Sequence, residues 1–185
     1  MKKWLLVHIK KLHRYASEPW YPFFLGLIGA LMHFVLILPL DTLFISSTLI
    51  AGNRWLKNAI ATTIGFTIGG TACALMVQTY GLELVERIAP GIVKTAIWAR
   101  ADHWIHHYGV VAIGLFSEIP LALHPLVALA GINHMPLLAV ALSLFIGRII
   151  KYCLLGWFCA YLPAKLPLPK DVEDLIRAEP KTDAE

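Results

Sequence analysis

The sequence predicts an all-α, polytopic membrane protein built from two inverted broken-helix repeats with re-entrant hairpins. Three observations carry that prediction. Apolar residues make up 58% of the 185 residues and charged ones only 15%, against about a quarter charged in an ordinary soluble domain. The stretches 20–53, 58–81 and 109–162 contain just four formal charges, Asp41, Glu118, Arg148 and Lys151, out of 16 basic and 12 acidic residues in the chain. Proline interrupts two of these stretches at corresponding places. Such a distribution excludes a soluble enzyme, a nucleic-acid-binding domain and a disordered chain.

Residues 1–19 are basic, with Lys2, Lys3, Lys10, Lys11 and Arg14 close to the first apolar stretch. The apolar run Trp4–Val7 stops at His8, too short for a signal-peptide core. A retained cytoplasmic helix at the interface fits better, its lysines toward anionic headgroups. The net charge of +4 therefore points to lipid rather than nucleic acid.

Residues 20–162 form the membrane-embedded domain, divided into a first repeat (20–81), a connector (82–108) and a second repeat (109–162). As one helix, 20–52 would reach about 50 Å, against a hydrocarbon core of about 30 Å. Pro39 and Asp41 supply the break, so the expectation is a full span near 21–38 and a shorter helix over 42–52. A polar connection, 53–58, leads to a second span over 59–81. There Gly65-x3-Gly69-Gly70 offers a close helix-packing surface.

Pro90-Gly91 breaks the mixed region beyond that span. Residues 92–108 place Val93, Ile97, Ala101, Trp104 and Tyr108 on one side, an amphipathic helix anchored at the interface by Trp98 and Trp104. The stretch 110–132 carries Glu118, Pro120, His124 and Pro125 in its middle. Irregular backbone at membrane depth survives only inside protein or beside water, so two half-helices meeting in a re-entrant hairpin are expected. Residues 135–162 give the last span. The tail, 163–185, has six acidic and four basic residues and reads as solvated, with one short helix near 171–178.

The halves echo each other. Pro39 precedes Ala51-Gly52 and a span containing Gly65; Pro120 precedes Ala130-Gly131 and a span containing Gly147. Each reads as proline break, half-helix, Ala-Gly turn and full span. Broken helices at matching positions of two halves point to a transport site near the midplane.

The four intramembrane charges cancel, and each is costly in hydrocarbon unless it faces a partner or water. Arg148 and Lys151 share a helix face at i, i+3. Pro125 fits the first position of a helix with His124 before it, and Asp41 fits an N-cap ahead of 42–50. Two such helix starts with Arg148 and Lys151 would make a phosphate-sized anion site, where Asp41 or Glu118 could carry a proton. The competing explanation is a static buried network that fixes packing. His33 and His124 could relay protons, although lone histidines are more often packing residues.

Asp102, His103, His106 and His107 have nothing convergent beside them, so no metal is expected. Cys73, Cys153 and Cys159 lie in apolar stretches as small fillers. No Ser-His-Asp, P-loop or CxxC pattern occurs, so the chain reads as a non-enzyme without a cofactor.

Several segments resemble the DedA family, also called the VTT-domain or SNARE-associated family, and in particular its YqaA-like branch. They are Leu38-Pro39-Leu40-Asp41 with Ala51-Gly52, Ile64 to Gly70, Tyr108-Gly109, Ile119-Pro120 through His124-Pro125, Ala130-Gly131, and Gly147-Arg148 through Lys151-Tyr152. Together they cover roughly residues 20–160. The resemblance implies two facing re-entrant segments, a multi-pass bacterial inner-membrane location, and proton-linked movement of polyprenyl-phosphate carriers or phospholipids. It aligns Asp41 with an acidic position of the first segment, puts Glu118 just before the second, and aligns Arg148 with a basic position after it. The chain departs from the family at Pro39-Leu40, where Pro-Gly is usual. It departs again at Leu123-His124-Pro125, where YqaA-like chains often have Gly-Asp-Pro; the carboxylate role there shifts to Glu118 or His124.

The expected function is thus transport of an anionic lipid, with Asp41, Glu118, His124, Arg148 and Lys151 as the site and membrane lipids and protons as partners, in a chain that could form a homo-oligomer. One alternative is a proton-coupled exporter of small cations or drugs, in which the carboxylates bind substrate. Another is a non-transporting membrane scaffold. Basic residues at both ends favour both termini on the cytoplasmic side.

Overall fold

A computed structural model describes residues 18–34, 40–50, 52–116 and 120–161. The N-terminal interfacial helix, Pro39, Glu118 and the acidic tail expected from the sequence lie outside these described residues. Among the described residues every regular element is helical: α1 (Tyr21–Leu31), α2 (Leu40–Ile50), α3 (Trp55–Ile88), α4 (Ala96–Tyr108), α5 (Val111–Phe116), α6 (Pro120–Ile132) and α7 (Leu137–Tyr161), with short 3-10 turns at Gly52–Arg54 and Ile92–Lys94.

The first helix is shorter than expected. Pro22 sits in its first turn, where a missing N–H costs nothing, but the helix ends at Leu31 rather than running to 38. Its end tightens into a turn, the Phe34 N–H reaching Leu31 O at 2.9 Å, and a long-range contact falls at the same place. The Met32 carbonyl, which a continuing helix would use internally, lies 3.2 Å from His124 Nε2, and the His33 ring turns inward onto Phe66. At 11 residues each, α1 and α2 reach about 16 Å, half a hydrocarbon core.

The helix α1 lies along α3, and glycine makes this possible. A Cβ on Gly65 would run into the Gly26 carbonyl, and one on Gly69 into the Ala30 carbonyl. The polar connection expected over 53–58 shrinks to the 3-10 turn, and α3 starts at Trp55. It continues past the expected end to Ile88, broken only at Gly81, whose φ of 67° and ψ of −159° only glycine readily adopts.

Thr95 caps α4, its Oγ1 accepting a hydrogen bond from the Trp98 N–H at 3.2 Å. The buried face of α4 is rotated from the one expected: Trp98, Ala101 and Ile105 point inward, while Tyr108 is exposed. Trp98 is therefore a packing residue rather than an interfacial anchor, because α4 lies against α6. Trp104 stacks on Phe116 at 3.9 Å between centroids.

The helix α6 begins at Pro120, not at Pro125, and Pro125 lies within it. Ala130-Gly131 is not a turn either. Gly131 belongs to α6 and meets the Ala74 carbonyl of α3, where a Cβ would come within 2.7 Å. The chain reverses two residues later. His134 takes a φ of 49°, its N–H reaches Gly131 O, and the Met135 N–H reaches Ala130 O, a Schellman ending.

The element order runs short, short, long (α1, α2, α3), then short, short, long again (α5, α6, α7). The packing has the same pattern in both halves. The first short helix of each half packs on its own long helix, α1 on α3 and α5 on α7. The second packs chiefly on the other half's long helix, α2 on α7 and α6 on α3. The long helices also pack on each other.

Among the described residues two helical segments, Gly52–Ile88 and Leu137–Tyr161, are long and apolar enough to cross a membrane. Each carries an exposed apolar stripe at four-residue spacing: Leu56, Ile60, Ile64 and Ile68 on α3, and Leu138, Leu142, Ile146, Ile150, Leu154 and Phe158 on α7. The α7 stripe extends about 30 Å along the helix, the thickness of a hydrocarbon core.

Replacing Gly65 by Leu should disrupt the α1–α3 seam, because the obstructing atoms are backbone and cannot rotate away. A loss at or above the upper end of about 1–3 kcal/mol is expected, read as a lowered unfolding midpoint in detergent. Gly81→Ala, with nothing within 4 Å of its Cβ, should cost only backbone strain, about 1–3 kcal/mol. A Gly65→Leu protein as stable as the parent would contradict the seam.

Candidate functional site

Polar side chains gather where the two halves exchange helices. Asp41 lies in the first turn of α2, which its negative charge complements. Its carboxylate does not cap that helix as expected. It reaches α7 instead: Oδ2 accepts from Lys151 Nζ at 3.0 Å and Oδ1 from the Tyr152 hydroxyl at 3.0 Å. Cross-half packing wins over capping because a lysine ammonium leaving water needs a full counter-charge more than two helix-end amides do. Tyr152 is fully buried and its ring lies 4.9 Å from that of Phe44.

One turn earlier on α7, Arg148 is 2% exposed. Its guanidinium carbon sits 3.9 Å from the centroid of the Phe66 ring on α3, a cation–π contact strengthened by desolvation. Its Nε has no hydrogen-bond partner among the described residues. His33 meets the same ring edge-on at 4.3 Å, and the rings of His33 and His124 are 5.8 Å apart. Phe66 thus touches both a cation and one of a pair of imidazoles.

Of the residues singled out from sequence, Asp41 and Lys151 are in direct contact. Arg148 lies one turn away on the same helix face, and His124 joins through His33. Glu118 lies outside the described residues. The anion site built from two helix starts does not form as expected: Asp41 is engaged with Lys151, and His124 lies inside α6 rather than ahead of it.

Sequence reasoning missed Tyr152 and Phe66. Tyr152 carries a signal in retrospect, four residues from Arg148 and next to Lys151, whereas Phe66 is one aromatic among many in an apolar span. On α4, His106 pairs with Asp102 at 3.4 Å and His103 stacks on His107; no group of three or more potential ligands is placed to hold a metal ion among the described residues.

A second feature adjoins the histidines. A cavity of about 70 Å³ lies between α3, α4 and α6, its walls including Met76, Val85, Ile88 and Trp98, with His33 and His124 also lining it. Gly81 marks where α3 bends alongside it.

Among the described residues the protein is thus all-helical, with two helices long and apolar enough for a membrane and a buried polar cluster between its halves. A protein of Haemophilus influenzae, described only as uncharacterized, is 25% identical over 151 residues, which is 80% of this chain and 74% of that protein. No protein-family model matches the chain, and no solved structure matches it.

The Asp41–Lys151 contact yields a test by double-mutant cycle. Asp41→Asn and Lys151→Met should each destabilise the protein, and the double variant should lose less than their sum. The side chains are 39% and 14% exposed, so the coupling should be modest, about 1–2 kcal/mol. Additive losses in thermal unfolding would show that the contact carries no energy.

Proposed function

We propose that this chain is a multi-pass inner-membrane transporter for an anionic lipid, of the kind its resemblance to the DedA family implies. The observation that carries the reading is Arg148: a guanidinium 2% exposed, held between two long apolar helices and stacked on Phe66. An arginine in such a place is an anion receptor by chemistry, since its planar fork matches phosphate oxygens in two parallel hydrogen bonds.

The short helices support the reading. In a bilayer, α1 and α2 would dip to mid-depth and return, as would α5 and α6, which makes each pair a re-entrant hairpin. The crossed packing suits two inverted repeats, and the exposed stripes on α3 and α7 suit contact with lipid tails.

The roles differ from a simple pair of cations. Lys151 is engaged by Asp41, so Arg148 meets the headgroup, while Lys151, Asp41 and Tyr152 hold α2 against α7. Glu118, between α5 and α6 in sequence, is the remaining carboxylate for proton exchange, with His124 of α6 as a second proton carrier. The cation-exporter alternative is weakened because the Asp41 carboxylate already holds a cation.

Reconstituted protein should move a phosphate-headgroup lipid between leaflets. Arg148→Ala should slow this by about one to two orders of magnitude, the value of a lost charge-assisted interaction, and Arg148→Lys should retain part of the rate. Glu118→Gln should reduce it as well. Parental rates in both Arg148→Ala and Glu118→Gln would end this reading.

A further inference from the structure

Along the inner side of the first three turns of α3, three polar side chains are buried beside Ala59. Asn58, Thr62 and Thr63 are each 0% exposed. Neither the amide nitrogen nor the amide oxygen of Asn58, nor the hydroxyl of either threonine, has a hydrogen-bond partner among the described residues. The same holds for Thr48 on α2, for both ring nitrogens of His33, and for Arg148 Nε.

Threonine and serine in apolar helices ordinarily return the hydroxyl to the preceding turn. This protein does so elsewhere: Ser47 donates to Phe44 O and Thr79 to Leu75 O, each at 2.9 Å. Thr62 and Thr63 do not. Buried polar atoms left by the protein without partners are characteristically satisfied by internal water, which bridges about three such groups.

Their order along the helix matters. Asn58 comes directly after Lys57, which is exposed, in the polar first turn of α3. Thr62 and Thr63 come one turn further in, and then Phe66, with Arg148 over its face and His33 at its edge. From Asn58 to Gly70, beside the His33 ring, the rise is about 18 Å.

We propose that Asn58, Thr62 and Thr63 line an internal file of water molecules that runs from the polar start of α3 to Arg148 and His33. The ligand is water, held by an amide, two hydroxyls and, at the inner end, a guanidinium and an imidazole. The file gives Arg148 a hydrated approach from one side only. It deepens the transport reading by placing solvent at the guanidinium, yet it stands on buried polar atoms rather than on any lipid chemistry.

The test is hydroxyl-radical footprinting by X-ray radiolysis of the full chain in detergent, read by mass spectrometry, since radicals generated from bound water modify the side chains beside it. Phe66 is the reporter, being fully buried. The expected result is that Phe66 is modified in the parent protein, and that modification falls to background in Asn58→Leu/Thr62→Val/Thr63→Val while exposed Tyr80 is unchanged. An unmodified Phe66 in the parent overturns the proposal without any variant. Equal modification in the triple variant, or in Thr62→Val/Thr63→Val should the triple variant not fold, overturns it too. A modified Phe66 in a protein that moves no phosphate lipid supports the file and removes the transport reading; transport without modification does the reverse.

Discussion

The close approach of α1 to α3 governs the geometry of everything inside. Carbonyl oxygens of Gly26 and Ala30 occupy the space that side chains at 65 and 69 would fill, so the two backbones sit closer than side-chain packing would allow. That closeness delivers the end of α1 to the middle of α3, where His33 lies on Phe66 and beside Gly70. Phe66 then presents its face to Arg148. Had α1 stood off by the width of a methyl group, the His33 imidazole could not rest on the ring that carries the guanidinium.

Much of the architecture was legible in the sequence, and the reason is physical. Charge depletion, apolar length and glycine spacing are one-dimensional signals for burial in hydrocarbon and close helix contact, and they located α3, α7 and the Gly65–Gly69 seam. The pairing of charges within the apolar stretches was also legible, because Asp41 and Lys151 each need an opposite partner. Where reading failed, a long-range contact had decided a local matter. Met32 surrenders its carbonyl to His124 and α1 stops early; Asp41 leaves its helix start for Lys151; Pro125 is accommodated within α6. No local propensity encodes a partner some 90–110 residues away.

The buried polar groups fall into two kinds. Asp41, Lys151 and Tyr152 satisfy one another at 3.0 Å, and such a closed group fixes position. Arg148, Asn58, Thr62 and Thr63 leave polar atoms without a partner among the described residues, and an open group of this sort is free to exchange partners. Sequence composition does not distinguish the two, since both are polar residues in apolar runs. Only the geometry separates the part of the interior that holds the halves together from the part that can receive something.

The crossed packing of the short helices has a consequence for how the chain is made. Asp41 finds Lys151 across 110 residues, and α2 rests mainly on a helix that is the last described element of the chain. While the ribosome is still producing the second half, α2 lacks its main packing surface and Asp41 lacks Lys151 and Tyr152. Until α7 has been made, the first half lacks the helix on which α2 chiefly packs. A chain truncated before α7 would leave the Asp41 carboxylate without the ammonium and the phenol that hold it here.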